Sequence, residues 1–431
     1  MITIGFQSWH AAFNWYVPNT INPLFSGKTL NDTPATHGFM YWNTSMIDHP
    51  TSDTDLSMFS PDTRETLMNH PQIKHSLIKD IPDGKYIFPV FIRSLWYFNE
   101  HEHVGFDLID AAIMSDIRNG RARLVLCMPY EGTSGVSVWN RDFKILDSWC
   151  KKHGLGKEHV YYITGNHRIT ELCAEMDFTP IPVDTFISWI PYMTQTPVSY
   201  KPVGPKNLFL TYNRRLRSHR ALLLTLLYRD DLIKDGLVSY GGSNYRDTTK
   251  SLIKTYKNRD LDEYAKQVDS LGPLELDVDL TLNNPASFIT PSHHEETMLS
   301  VISETLSDNE SIFLSEKTWK SISLGHPFMI LGNPQTLSTL RKMGYRTFDV
   351  FFNESYDTIY DTRDRTELIV SELKRLSNLS LNDRIALRHR MNDITTHNQL
   401  LFNSVYQKNI KGGPDHPVFE AFELIWERMH A

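Results

Sequence analysis

The stretch TMLSVISETLSDNESIFLSEKTWKSISLGHPFMILG, residues 297–332, decides the class of fold. TMLSVISET (297–305) reads as a strand. SEKTWKSISLG (315–325) reads as a helix. PFMILG (327–332) is a second short apolar strand. Strand, helix and strand in succession form a crossover unit, and crossover units build parallel sheets.

The pattern extends in both directions. LFLTYN (208–213), RSHRALLLTLLYRDDL (217–232) and GLVSYGG (236–242) read as strand, helix and strand before the stretch, and PQTLSTLRKMGY (334–345) as a helix after it. A polar, partly helical insertion fills 243–295. A second alternating series lies upstream. It comprises FDLIDAAIMSDIRNG (106–120, helix), ARLVLCMP (122–129, strand), RDFKILDSWCKKHGL (141–155, helix), EHVYYITG (158–165, strand), HRITELCAEM (167–176, helix) and the extended FTPIPVDTFISW (178–189). The first hundred residues read as loops rich in aromatic residues, His and Asn, with one strand at KYIFPVFIR (85–93). TPVSYKPVGPKN (196–207) is punctuated by Pro and Gly and marks a domain boundary. The expected class is α/β: two Rossmann-like domains, 1–200 and 201–400, facing across a cleft. A helical tail, 401–431, is expected to pack back across them.

Composition narrows the function. The chain has 431 residues, 40% of them hydrophobic and 12% aromatic, ample for cores and too rich for disorder. Three cysteines without framework spacing fit a reducing compartment. Neither a signal peptide nor a membrane-spanning run is evident, so a cytoplasmic protein without a membrane partner is expected. The net charge of −7 disfavours a dedicated polyanion binder. Residues 201–257, however, hold twelve Lys/Arg against four Asp, a balance of +8 that favours a phosphate-bearing ligand.

Glu316 and Lys317 stand at the start of the 315–325 helix. In open α/β sheets, ligands bind beyond the carboxyl ends of strands, facing helix N-termini. Lys317 there can neutralise a phosphate and Glu316 can accept hydrogen bonds from ribose hydroxyls, though the pair would equally suit a solvated first turn. Arg214, Arg215, Arg217, His219 and Arg220 follow the 208–213 strand into a helix start. Guanidinium groups there can bind phosphate bidentately, with Arg220 the best single candidate. DVD (277–279) resembles the metal-binding acidic triplet of GT-A glycosyltransferases but lies in the polar insertion and not after a strand. The His293–Glu296 run has poor spacing for shared ligation, and neither a P-loop nor a GxGxxG is present, so no metal is expected.

NRRLRSHRALLLTLLY…GLVSYGG followed by SVISETLSDNESIFLSEKTWKSISLGHPFMILG resembles the donor half of the alpha-1,3-fucosyltransferase family of GT-B glycosyltransferases. The likeness covers about a third of the chain and implies specific roles. Arg220, with Arg214 in the same cluster, would hold the diphosphate, and Tyr240 and Gly241 would form a turn at the donor. Glu304 would take the acidic strand-end position, and Glu316 and Lys317 would meet ribose and phosphate. Trp319 and Gly325 also match. The long 243–295 insertion, the serine of VSYGG and the N-terminal half depart from that family. The chain further resembles a set of phage and marine bacterial proteins that carry YNRR-x-R-x-HR, SEKT-[WF]-K and DESYD-like segments, the last reading NESYD (353–357) here.

The resemblance implies an inverting transferase that takes a UDP- or GDP-linked sugar as donor substrate and needs no metal or other cofactor. Glu131, directly after the ARLVLCMP strand, is the expected base that deprotonates the acceptor hydroxyl, with His10, His101 and His103 as competitors. The phage likeness implies DNA carrying hydroxymethylated bases as acceptor, and a glycan is the alternative. A GT-B module that binds without catalysis is the contrasting expectation.

Overall fold

Apolar strands separated by amphipathic helices leave a chain few options beyond a parallel sheet covered by helices. The structure, a computed structural model, describes residues 2–6, 73–77, 81, 84–91, 109, 111–128, 140–184, 205–214, 217–241, 248–256, 259–274, 276, 290–307, 309–410 and 417–431. The chain divides into two units, Met1–Ser188 with Tyr406–Ala431, and Trp189–Val405.

The first unit holds a sheet of β1 (Ile2–Phe6), β2 (Ile73–Leu77), β3 (Tyr86–Phe91), β4 (Ala122–Met128), β5 (Val160–Thr164) and β6 (Thr179–Pro182). The strand order is β2-β1-β3-β4-β5-β6 and every pairing is parallel. Helices α1 (Ala111–Arg118), α2 (Asn140–His153) and α3 (Ile169–Leu172) connect the later strands. Tyr86, Leu124, Phe143, Trp149 and Tyr162 are fully buried in its core, with Phe143 and Phe178 set around the Tyr162 ring. The last helix, Pro417–His430, packs against β1 and β5, and Lys85 donates to its Met429 carbonyl. Of the 401–431 tail, residues 406–431 belong to the first unit and 401–405 to the second. β1 and β2 were not expected in the opening hundred residues, and α3 is a single turn where a longer helix was read.

The second unit holds β7 (Asn207–Asn213), α4 (Ser218–Arg229), β8 (Gly236–Tyr240), α5 (Thr249–Ile253), α6 (Asp262–Ser270), α7 (Pro291–Glu295), β9 (Thr297–Ser303), α8 (Glu316–Ser323), β10 (Phe328–Leu331) and α9 (Thr336–Lys342). Helices α10 (Thr362–Ser377), α11 (Leu381–Arg390) and α12 (Asn392–Ile410) come after them. The strand order is β10-β9-β7-β8, again wholly parallel. β9 is buried at all seven positions, as a central strand covered on both faces must be. The part of the insertion that is described is an integral layer, because α5 and α6 pack on α4, and Tyr240 and Leu274 exchange backbone hydrogen bonds.

α8 shows how sequence sets an element here. Ser315 caps it by accepting from the Lys317 amide at 3.3 Å. At the other end Gly325 takes φ +60°, while Gly325 and His326 amides bond back to the Ile322 and Ser321 carbonyls, the glycine-dependent helix stop. Between the two, Trp319 is buried against Tyr345 and Phe402. A buried tryptophan of this kind contributes about 3–5 kcal/mol relative to alanine. The NESYD segment also has a scaffolding role. Asp357 accepts from the Leu337 and Ser338 amides at the start of α9, Glu354 from the Phe348 amide, and the Tyr356 hydroxyl from the Ile330 amide.

Candidate ligand site at the carboxyl ends of strands β7 and β9

The order β10-β9-β7-β8 reverses direction at one place. From β7 the chain moves outward to β8, then returns to the other side of β7 as β9. Between the carboxyl ends of two such strands, the connections lead away in opposite directions and leave a crevice where ligands of open α/β sheets bind. The register pairs Asn207 with Thr297 and Leu210 with Ser300, so the last residues, Asn213 and Ser303, come level. Among the described residues, the segments just beyond the two strands are Arg214 and Arg217–Arg220 after β7, and 304–307 and 309–317 after β9.

Glu304 is the centre of this arrangement. It is 1% exposed. Its Oε1 accepts from the Ser315 amide at 3.1 Å and the Thr318 hydroxyl at 2.6 Å, and its Oε2 from the Thr305 amide at 3.1 Å. Its carbonyl oxygen accepts from His219 Nε2 at 2.9 Å and from an Arg220 amino group at 3.1 Å. One residue thus fixes the start of α8 with its side chain and the start of α4 with its backbone. Burial raises its carboxyl pKa, against the pull of Lys317 and of the Ser315 and Thr318 hydrogen bonds.

Glu316 and Lys317 lie at the first turn of α8. Lys317 Nζ donates to Glu316 Oε1 at 2.5 Å and lies 3.4 Å from the Thr305 hydroxyl and 3.5 Å from that of Ser315. Burial works to raise the Glu316 pKa, but the charges of Lys317 and Lys320 and its hydrogen bonds prevail and hold it at about 2. Glu316 is thus an anion at any physiological pH, placed at the positive end of a helix dipole. The ammonium and the carboxylate are both partly exposed, at 22% and 14% of their side chains. This is the donor–acceptor pair that a phosphate and a neighbouring hydroxyl group need.

The other sequence candidates have more enclosed positions. Arg220 is only 4% exposed, and its amino group donates to the Ser303 and Glu304 carbonyls at 3.3 and 3.1 Å. As placed, its guanidinium braces the end of β9. Tyr240 is fully buried, with its hydroxyl 2.9 Å from Thr249 and 3.4 Å from Asp269. Gly241 does what a glycine alone can do, because a Cβ there would stand 1.8 Å from the Arg214 carbonyl oxygen. Arg214 and Arg217 are half-buried at the mouth of the β7–α4 connection. Arg217 is the N-cap residue of α4 and makes no side-chain capping bond, which leaves that cap to other acceptors. Glu131, Arg215, His10, His101, His103 and the DVD triplet lie outside the described residues.

Sequence reasoning placed His219 only in a cationic cluster and did not single out Thr305, Thr318 or Arg365. His219 is buried, and burial with the Arg220, Arg217 and Arg365 charges takes its pKa down to about 3. It is therefore neutral and donates from Nε2 to Glu304. Arg365, 1% exposed, reaches from α10 to Ser307 and Asn309 in the β9–α8 loop. Among the described residues no group of three or more His, Cys, Asp or Glu is arranged to hold a metal ion. Nor is any described helix long and apolar enough to cross a membrane.

No family model matches the chain, and no curated protein matches it. Among solved structures, the chain is similar to the DNA-modifying enzyme β-glucosyltransferase, whose structure was determined with and without its substrate uridine diphosphoglucose. The two share 10% identity over 73% of this chain and 84% of that one, with a TM-score of 0.29. At that score the likeness carries no argument about this chain.

Proposed function

We propose that the protein is a glycosyltransferase that takes its sugar from a nucleoside-diphosphate donor. The observation that supports this is the convergence, at the reversal of strand order between β7 and β9, of Arg214, Arg217, Glu304, Glu316 and Lys317. In this proposal Lys317 and the amino-terminal turns of α4 and α8 receive the diphosphate, and Glu316 accepts from the ribose hydroxyls. Arg220 and Glu304 hold the two loops at the spacing the ligand requires. Charge that develops on the departing diphosphate is then met by Lys317 and backbone amides already in place.

The acceptor is proposed from sequence. An inverting displacement needs a base at the acceptor hydroxyl, and Glu131 is the proposed base. The proposed acceptor is DNA with hydroxymethylated bases, with a glycan as the alternative. A flipped base would stack on the aromatic residues of the N-terminal half.

A thermal-shift panel of UDP, GDP, CMP and UDP- and GDP-sugars on wild type and Lys317→Ala tests the donor site. One nucleotide diphosphate should raise the melting midpoint of the wild type, and Lys317→Ala should lose most of that shift. No shift with any nucleotide would refute a donor site between β7 and β9. In the same panel Glu131→Gln should keep the shift and lose transfer to hydroxymethylated DNA or glycan. If it lost donor binding too, Glu131 would not be the base. A non-catalytic binding module predicts instead that the nucleotide shift persists and that neither acceptor is ever glycosylated.

A further inference from the structure

Arg365 carries its charge in an unfavourable place. It is 1% exposed and sits in the first turn of α10, a 16-residue helix whose amino-terminal end is itself positive. Its acceptors are all neutral: the Ile359 and Tyr360 carbonyls, Thr362 Oγ1 at 3.1 Å, Ser307 Oγ at 3.4 Å and Asn309 Oδ1 at 3.1 Å. Its Nε has no hydrogen-bond partner among the described residues. Asp357 and Asp361 act on it from beyond hydrogen-bonding range, and both are engaged elsewhere. Asp357 accepts from the Leu337 and Ser338 amides and Asp361 from the Asp364 amide.

A buried guanidinium without a carboxylate is a costly charge to bury, and hydrogen bonds to neutral acceptors offset that cost only in part. Its position gives it a use. Ser307 and Asn309 belong to the loop that begins at Thr305, and the Thr305 hydroxyl lies 3.4 Å from Lys317 Nζ. The Arg365 charge also acts on His219, together with those of Arg217 and Arg220. Two guanidinium groups on separate helices, Arg220 on the Ser303 and Glu304 carbonyls and Arg365 on Ser307 and Asn309, thus lie behind the carboxyl end of β9.

We propose that Arg365 is a positioning residue for the anionic part of the donor: it fixes the β9–α8 loop and sets a buried positive charge behind it. The site then prefers a diphosphate over an uncharged nucleoside. This rests on the donor site proposed above. The test is calorimetric titration of wild type, Arg365→Met and Arg365→Lys with UDP, GDP, uridine, guanosine and inorganic pyrophosphate, alongside melting curves. Arg365→Met should lose about tenfold in affinity for the diphosphate and for pyrophosphate, with nucleoside affinity unchanged. Arg365→Lys, which keeps the charge, should restore most of the preference.

An unchanged ratio of diphosphate to nucleoside affinity in Arg365→Met, with the wild type binding normally, overturns the inference and leaves the donor site standing. Failure of the wild type to bind any diphosphate or pyrophosphate overturns both. If Arg365→Met does not fold, Arg365→Lys decides: a retained preference supports the role of the charge and a lost one overturns it.

Discussion

At Glu304, one residue answers to two loops. Three donors converge on its carboxylate, from Thr305, Ser315 and Thr318, while its carbonyl takes His219 and Arg220. Truncation to alanine would leave buried donors without acceptors, and each unsatisfied donor costs about 1–3 kcal/mol. Glu304→Ala should therefore lose about 3 kcal/mol in urea unfolding. Glu304→Gln should lose less but not nothing, since its amide must turn an N–H toward one of the donor groups. A neutral Glu304→Ala would mean that the network does not hold the loops. The sequence marked Glu304 correctly as a strand-end acid, but it could not show that its bonds run inward. The same holds for Arg220 and Tyr240. Their positions next to a strand end are legible in the chain, whereas their burial depends on tertiary packing, of Tyr240 against Thr249 and Asp269 and of Arg220 against the end of β9.

Strands and turns carry the next level of constraint. Gly241 ends β8 where the backbone of Arg214 passes, and the 1.8 Å approach of a Cβ to the Arg214 carbonyl leaves no room for alanine. Since the obstacle is backbone, Gly241→Ala must push the β7–α4 connection aside, at a cost of about 1–3 kcal/mol. Because Arg214 and Arg217 ride on that connection, nucleotide affinity should fall along with the melting midpoint. An unchanged affinity would separate this turn from the ligand site. Elements with strong local signals were readable. β10 is an unbroken apolar run, β7 and β9 are apolar stretches interrupted only by uncharged residues, and α8 has both a serine cap and a glycine stop. β1 and β2 were not. β2, IKHSL, is an edge strand whose Lys74, His75 and Ser76 break the apolar pattern expected of a buried strand. β1, ITIGF, is five residues long and contains a glycine. Both are strands because their neighbours pair with them, Ile4 with His75 on one side and Ile87 on the other, and such pairing over long sequence separation leaves no local mark.

At the scale of the whole molecule, the second unit is built to keep three imidazoles neutral. His219 sits at the carboxyl end of the sheet with a pKa of about 3, set by burial and the arginine charges around it. His294 and His326 lie at the opposite end, stacked edge-on 5.1 Å apart. Burial takes His294 down to about 4, with Lys320, His293 and Arg388 adding repulsion, and takes His326 well below its ordinary value, helped by Arg388 and His294. His326 Nε2 donates to the Thr297 carbonyl at 3.0 Å and its Nδ1 bonds the Ser300 hydroxyl at 2.8 Å. The unfolded chain takes up a proton at each histidine near pH 6.5, whereas the folded chain resists until far lower. Stability is therefore full above about pH 6.5 and declines as the pH falls from there toward 4, by up to about 2 kcal/mol per buried histidine at pH 5. Urea unfolding between pH 7.5 and 5 follows this decline, and comparison with His294→Gln separates it from the buried carboxyls of Glu304, Glu354 and Asp357, whose pKa values burial raises. His294→Gln should lower stability at pH 7.5 but flatten the slope by about a third. A wild-type profile that stays level down to pH 5 would mean that these imidazoles are open to water, and that the amino-terminal end of the sheet is less closed than its packing implies.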